Sequence, residues 1–177
     1  MAMKMRSLFA AVVCGTLFGG VATALADGGG GGSDSTTCPQ GQVYDPRSMQ
    51  CVKQQSGVLP DKALADYAYV LAKAERYQEA LQVLDLMQHR NTAQALNYRG
   101  YATRKLGRVD EGIGYYLKSV ALDPRYAEVR EYLGEAYVIK GDVARAKAQL
   151  RAIGKICGTD CEEYKDLAKA ISENAKS

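Results

Sequence analysis

Cysteine is the residue type whose chemistry and spacing are most informative in this chain. Cys14 lies in an apolar N-terminal stretch, whereas the other four form two local pairs, Cys38 with Cys51 and Cys157 with Cys161. Four cysteines allow three disulfide pairings, and proximity in sequence favours these two pairs. The spacings Cys-x12-Cys and Cys-x3-Cys differ from the short knuckles of structural zinc sites and from the Cys-x-x-Cys of redox proteins. We therefore predict two structural disulfides and no metal site.

His89 is the only histidine in the chain, which limits the arrangements available for catalysis. It is expected near the end of a helix, where a cationic side chain is favoured by the helix dipole. Pairing it with a nucleophilic cysteine would need a free thiol. No glycine-rich phosphate loop follows a strand, and no Gly-x-Ser-x-Gly motif occurs. The sequence therefore predicts a protein that is not an enzyme and that needs no cofactor.

The first 26 residues have the pattern of a cleavable export signal. Lys4 and Arg6 form a short positive region, an apolar stretch runs over 8–22, and small residues precede a cleavage point after Ala26. This pattern predicts a signal peptide at 1–26 and a mature protein that is periplasmic or secreted.

Two alternatives to that cleavage remain open. One is an N-terminal anchor that is not cleaved, although the apolar stretch is short for a membrane span. The other is a lipoprotein modified at Cys14, which is less favoured because Val12 and Val13 stand where small residues would be wanted.

The expected mature chain carries almost no net charge. Removing Lys4 and Arg6 from the 23 basic residues leaves 21, against 20 acidic residues. Such a surface creates no strong field that would attract nucleic acid or anionic lipid. We therefore expect no nucleic-acid partner and no membrane insertion after cleavage.

Two segments with little capacity for burial precede the rest of the chain. Residues 27–37 contain five consecutive glycines beside serine and aspartate, which is typical of a flexible tether. Residues 38–60 form a small disulfide loop and a linker, in which turn signals flank the short apolar piece Val43-Tyr44. The disulfide would stop this loop from fraying. An alternative is a docking loop that presents Tyr44 to a partner.

From residue 61 onward the sequence has helical spacing and repeats itself. Alanine, leucine, tyrosine and charged residues dominate, and glycine is sparse. In each copy one small residue follows another after 12 positions, as in Ala68 and Ala80, Gly100 and Gly112, and Gly134 and Ala146. The copies are 32 and 34 residues apart, a period typical of stacked helix pairs.

These copies resemble the tetratricopeptide repeat (TPR). The matching residues are Gly100, Gly107, Gly112, Tyr116 and 121–124 in the second copy, and Leu133, Gly134, Tyr137, Gly141, Ala146 and Leu150 in the third. Three units result, at 61–92, 93–126 and 127–160. The first departs most from the pattern, with Glu75 where the others have glycine. The resemblance implies an all-α, right-handed helical solenoid of three helix-turn-helix repeats.

A last helix is expected to cap the third unit. Within 161–177, an apolar stripe of Tyr164, Leu167, Ala168 and Ile171 stands opposite charged residues. Stacked repeats bury their apolar faces only against neighbours, so the final unit needs such a cover. The predicted second disulfide would fix the angle between the third unit and this capping helix.

The candidate binding site lies on the face formed by the first helix of each unit. The resemblance implies that these helices line the concave side of the solenoid. Tyrosine, asparagine and arginine, which bind peptides well, recur there beside the core positions. The predicted protein-binding groove consists of Tyr69, Lys73, Asn97, Tyr101, Arg104, Lys105, Glu131 and Glu135. Alternatively, Arg104 pairs with Glu131 or Glu135 across adjacent helices, and the face is solvated without a ligand.

These features predict a non-catalytic scaffold or adaptor of the bacterial envelope that binds a peptide or helix of another envelope protein. Some TPR proteins clamp a C-terminal carboxylate with lysine, asparagine and arginine at fixed positions. In the first unit of this chain, Ala65 and Tyr69 stand where such residues would be needed, so this mode of binding is not expected. A second class of function is a structural module that forms a homo-oligomer through an incompletely capped first repeat, with the tether and the loop at 38–52 covering that edge. A small enzyme or a thiol-redox protein is the third alternative.

Overall fold

The structure, a computed structural model, describes residues 37–55, 57 and 59–174. The strands within these residues are β1 Gln42–Asp45 and β2 Gln50–Lys53, and the helices are α1 Asp61–Lys73, α2 Tyr77–Asp85, α3 Ala93–Lys105, α4 Val109–Leu122, α5 Ala127–Ile139, α6 Val143–Cys157 and α7 Glu162–Asn174. The predicted signal peptide at 1–26, and the predicted tether at 27–37 apart from Thr37, lie outside the described residues. None of the described helices has the combined length and hydropathy that a membrane span requires.

Six of the helices form three consecutive helix-turn-helix pairs, in which a short turn joins the two helices of each pair. α1 packs on α2, α3 on α4 and α5 on α6, and each pair also packs on the next one. The predicted units 61–92, 93–126 and 127–160 each contain one of these pairs. The all-α repeat fold expected from the sequence is confirmed, with the β1–β2 hairpin as its small non-helical addition within the described residues.

The turns inside the three pairs share one backbone geometry. Each first helix is followed by a residue with positive φ: Glu75 at 61°, Gly107 at 84° and Gly141 at 73°. The next N–H bonds back to a carbonyl five residues earlier, in Arg76 to Leu71, Arg108 to Thr103 and Asp142 to Tyr137, over 2.9, 3.2 and 2.8 Å. This is the Schellman bond that ends a helix in the left-handed conformation. Glu75 therefore takes the conformation that glycine takes in the other two units.

The helices of a pair approach closely at the small residues of the repeat. A Cβ atom on Gly100 would lie 2.6 Å from the Tyr116 ring, and one on Gly112 would lie 3.0 Å from the Gly100 carbonyl oxygen. The equivalent positions elsewhere are the buried alanines Ala68, Ala80 and Ala146. The 12-residue spacing in the sequence thus corresponds to a contact between two helix backbones.

The hairpin packs against the first helix pair. β1 and β2 are antiparallel, and Val43 on β1 is only 1% exposed. The Cys38 N–H donates to the Tyr67 hydroxyl over 2.7 Å, and the Arg76 guanidinium donates to the Cys38 carbonyl over 2.7 Å. Tyr44, which the sequence offered as a docking residue, is half-buried against this part of the protein. The hairpin therefore covers one side of α1.

Both disulfides join residues that are close in sequence. The structure pairs Cys38 with Cys51, and Cys157 with Cys161, which is the pairing that proximity favours. The first closes the hairpin, and the second joins the end of α6 to the residue before α7. Each disulfide therefore stabilises one end of the repeat stack.

The capping helix α7 covers the last pair by packing on α5 and α6. Leu167 and Ile171 of the predicted apolar stripe are buried, and Tyr164 is half-buried. Leu167 occupies the space that a side chain on Gly134 would need. The glycine of the third unit thus serves the contact with the cap, and α7 lies where the sequence places it.

Candidate functional site

A cavity of about 450 Å³ opens on the face formed by the first helices and the cap. Its walls come from α1, α3, α5 with the residue before it, and α7. Six of the eight predicted groove residues line it, namely Tyr69, Lys73, Tyr101, Lys105, Glu131 and Glu135. The helices that the sequence assigned to the groove therefore meet around one concave site.

The other two predicted residues, Asn97 and Arg104, are buried and do not line the cavity. Arg104 donates to the Glu135 carboxylate over 2.7 Å and to the Tyr116 hydroxyl over 3.2 Å. This is the pairing across adjacent helices that the sequence left open as an alternative. Arg104 thus supports the wall from behind and fixes the position of Glu135.

Asn97 helps to fix Glu128, an acidic residue at the start of α5. Its side-chain N–H donates to Glu128 Oε2 over 3.0 Å and to the Tyr126 hydroxyl over 3.2 Å. The Tyr126 and Tyr132 hydroxyls donate to the two Glu128 oxygens over 2.6 and 3.3 Å. Burial, followed by the hydrogen bond to Glu128, raises the pKa of Tyr126 well above its usual range. Tyr126 therefore keeps its proton and remains a donor.

Tyrosine rings form much of the cavity surface. Tyr101 packs on Tyr132 with their ring centroids 5.0 Å apart. The Lys73 ammonium lies 5.8 Å from the centroid of Tyr69 and 6.0 Å from that of Tyr101, and the Lys105 ammonium lies 5.6 Å from the latter. Rigid aromatic side chains offer a large contact area at low cost in conformational entropy. This side of the cavity suits a peptide or another ordered segment.

The α5 and α7 side of the cavity is acidic. Its carboxylates are Glu128, Glu131, Glu135, Glu162, Glu163 and Asp166. Glu131 is buried, and no hydrogen bond or ion pair joins it to another described residue. Burial is the main cause that raises the pKa of Glu131, and the nearby carboxylates of Glu135 and Asp166 are the next causes. Together they raise this pKa to about 8. Glu131 is therefore largely protonated at neutral pH when the cavity holds no cation.

Half of the cavity lining was not predicted from the sequence. The additional residues are Tyr126, Glu128, Tyr132, Glu162, Glu163 and Asp166. Glu128 and Tyr132 stand three residues before and one residue after Glu131, so helical spacing could have placed Glu128 on the same face. The acidic residues of α7 carry no such signal, because a capping helix is expected to cover the last unit and not to reach the groove.

Two other clusters of titratable groups lie away from this cavity or at its edge. His89 Nδ1 lies 3.0 Å from Asp61 Oδ2, and the backbone N–H of His89 also donates to the Asp61 carboxylate. Asp61 is the first residue of α1, so these bonds fix the start of that helix. Cys157, Cys161 and Glu163 offer sulfur and oxygen atoms within 4.8 Å of one another. The disulfide removes both thiolates, so a metal ion there would require reduction first.

Solved structures of other proteins share this arrangement of helices. The type III secretion translocator chaperone SycD of Yersinia enterocolitica, in an alternative dimer, is 19% identical with a TM-score of 0.53, and the match covers 66% of this chain and 89% of that chain. SycD in complex with a peptide of the translocator YopD is 18% identical with a TM-score of 0.53, covering 68% and 95%. The first TPR domain of human RPAP3 is 17% identical with a TM-score of 0.53, covering 66% and 96%.

Sequence comparisons add no closer relationship. No protein-family model matches the chain, and no curated protein matches it in sequence. At identities below one fifth the structural likeness carries information about the fold alone. The chain therefore has a TPR-like helical-repeat fold, as the motifs of its second and third units indicate.

Proposed function

We propose that this protein is a non-catalytic scaffold or adaptor that holds a segment of a partner protein in the cavity lined by α1, α3, α5 and α7. The observation that carries the proposal is the cavity itself, since it joins the first helices of all three pairs and the cap around about 450 Å³. A concave site that spans several repeats is how solenoid proteins bind extended partners.

The chemistry of the cavity lining supports binding over catalysis. Its side chains are tyrosine, lysine, glutamate and aspartate. Two of its carboxylates, Glu128 and Glu135, are already engaged by donors from the protein, so they maintain the shape of the site. Tyrosine-rich surfaces that are stiffened from behind favour recognition of a peptide or a helix.

The structural comparison agrees with this class of function. SycD, which has the same fold, has been solved with a peptide of the translocator YopD bound to it. A partner of this chain would belong to the bacterial envelope if residues 1–26 direct export, as their pattern predicts. The two disulfides support an oxidising compartment for the folded part.

Site-specific photo-crosslinking in living cells tests the proposal. The full chain would carry p-benzoylphenylalanine in place of Lys73 or Lys105, which line the cavity, or in place of the exposed Lys118 or Lys147 on the second helices α4 and α6. We expect discrete adducts with another protein from the two cavity positions and none from the control positions. The intact mass of the same chain without a crosslinked partner would also show whether the mature protein begins at Asp27.

Other outcomes would contradict the proposal. Adducts that form only from Lys118 or Lys147 would place the binding surface on the second helices. Adducts that contain two copies of this chain would favour the self-associating module. The absence of any adduct from the cavity positions would also count against a partner segment held there.

A further inference from the structure

Glu131 is the buried carboxylate of the cavity, and the described part of the protein supplies no partner for it. It is 8% exposed and lies on the cavity wall, yet no hydrogen bond or ion pair joins it to another described residue. Its neighbours on α5 differ, because Glu128 accepts hydrogen bonds from three side chains and Glu135 from Arg104. The Glu131 carboxylate oxygens are not fully enclosed, and Glu131 lines the cavity, so what remains exposed of this group faces the open site. A carboxylate that is largely withdrawn from water and has no protein partner is costly. A cationic ligand in the cavity would offset that cost.

The charged groups around Glu131 identify the sign of that ligand. The other carboxylates of the cavity come from α5 and α7: Glu128, Glu135, Glu162, Glu163 and Asp166. From α1 and α3 come Lys73 and Lys105, which both lie against the ring of Tyr101. The five carboxylates around Glu131 thus outnumber the two ammonium groups, even though one of the five, Glu135, is paired with Arg104 behind the wall. The local field attracts a cation.

The remaining surroundings of Glu131 are uncharged at neutral pH. The tyrosines of the cavity are Tyr69, Tyr101, Tyr126 and Tyr132. α4 and α6 pack against other sides of α5 and contribute no residue to the cavity. Tyrosine rings provide a rigid apolar surface for the stem of a long side chain. A side chain with a positive end and an apolar stem therefore matches both parts of the site.

We propose that the cavity binds an arginine or lysine side chain of the partner segment, with the Glu131 carboxylate as its counter-ion. This proposal rests on the proposed function, because it names the chemistry by which the partner is recognised. The guanidinium or ammonium group would lie on the α5–α7 side, and the stem of the side chain would lie against the tyrosine rings. The partner segment would thus be selected for a basic residue and against an acidic one.

Binding of a cation would be coupled to release of a proton. Burial and the neighbouring carboxylates keep the pKa of Glu131 at about 8 in the unoccupied cavity. A bound cation favours the ionised carboxylate, so below that pH each binding event must displace a proton. Affinity for a permanently cationic ligand should therefore rise with pH up to about 8 and then level off.

Titration with small probes tests the proposal on the full chain. The probes are N-acetyl-arginine amide, its uncharged isostere N-acetyl-citrulline amide, and N-acetyl-glutamate amide, followed by NMR of the isotopically labelled protein. We expect the arginine probe to bind about tenfold more tightly than the citrulline probe, the size of a charged hydrogen bond. Glu131→Gln should remove that preference and its pH dependence, whereas Glu111→Gln on exposed α4 surface should change neither.

Three results would overturn the proposal: equal binding of the arginine and citrulline probes, an unchanged preference in Glu131→Gln, or tighter binding of the glutamate probe. The last would assign the site to an anion held by Lys73 and Lys105. The proposed function is tested separately, by the crosslinking experiment, and it can fail or hold independently of these three results. Cavity crosslinks without arginine preference would leave a peptide groove of other chemistry, whereas arginine preference without crosslinks would indicate a small-molecule site.

Discussion

At the scale of single residues, Gly100 sets the distance between α3 and α4. A side chain there would lie 2.6 and 2.7 Å from two atoms of the Tyr116 ring and 3.1 Å from the Gly112 carbonyl oxygen. Tyr116 is fully buried, so its ring has no room to move away. We expect Gly100→Ala to lower the free energy of unfolding by about 1–3 kcal/mol, as overpacking does in other cores. Urea denaturation followed by circular dichroism measures this change.

Gly114 is the matched control for that substitution. It lies within α4, and a Cβ atom built there meets no atom within 4 Å. Gly114→Ala should therefore raise the free energy of unfolding by about 0.5–1 kcal/mol through helix propensity. Opposite signs for the two alanine variants would support the close helix contact, and equal stabilisation would contradict it.

Glu131 should make stability depend on pH in a direction unusual for a carboxylate. Its pKa rises from 4.5 in the unfolded chain to about 8 in the fold. Between these values the unfolded state loses the proton and the fold retains it, so stability falls as pH rises through this window. Glu131→Gln lacks this effect and should gain stability over the wild type, more at pH 8.5 than at pH 5. Denaturation at both pH values measures the difference, and an equal offset at both would refute the expectation.

The site could be predicted from sequence only as far as helical spacing allows. A step of 100° per residue identifies a face, and this placed Tyr69, Lys73 and Lys105 at the cavity. Helical spacing could not distinguish side chains that reach the cavity from side chains on the same helix face that are buried under a neighbouring helix. Whether Asn97 and Arg104 reach the cavity depends on how α5 packs over α3, and that contact joins residues about 30 positions apart.

At the scale of elements, the three repeats share one turn geometry: each first helix is followed by a residue in the left-handed backbone conformation. Glu75 adopts φ 61°, which costs a residue with a Cβ atom more than it costs glycine. We expect Glu75→Gly to stabilise the protein by up to about 1 kcal/mol and Gly107→Ala to destabilise it by about 1 kcal/mol or more. Nothing lies within 4 Å of a Cβ built on Gly107, so backbone strain alone would be measured. Thermal unfolding of both variants tests this, and a loss of stability in Glu75→Gly would contradict it.

The elements themselves were more predictable than their contacts. The 12-residue spacing of small residues and the period of 32 and 34 residues specified three helix pairs, because each feature follows from local geometry. The hairpin is different. Its position on α1 depends on Val43 and on the hydrogen bond between the Cys38 N–H and the Tyr67 hydroxyl, 29 residues away. No local pattern contains such a pairing.

At the scale of the whole described molecule, each of the two end units packs against an element from outside the repeats. α7 covers the last pair, and the disulfide-closed hairpin covers one side of α1. Repeat stacks need such covers because an end unit otherwise exposes the apolar face that would bind a further repeat. The hairpin therefore bears directly on whether the protein self-associates, the second class of function that the sequence leaves open.

Val43 provides the test of this role. It is 1% exposed between the hairpin and the helices, so Val43→Asp would bury an unpaired carboxylate and detach the hairpin from α1. The exposed surface should then bind a second copy, and sedimentation velocity should show a mean mass that rises with concentration more steeply than in the wild type. Met49→Asp is the matched control, because Met49 lies at the hairpin turn and is 76% exposed. A Val43→Asp protein that keeps its helical circular dichroism and sediments like the wild type at every concentration would show that the hairpin does not guard against self-association.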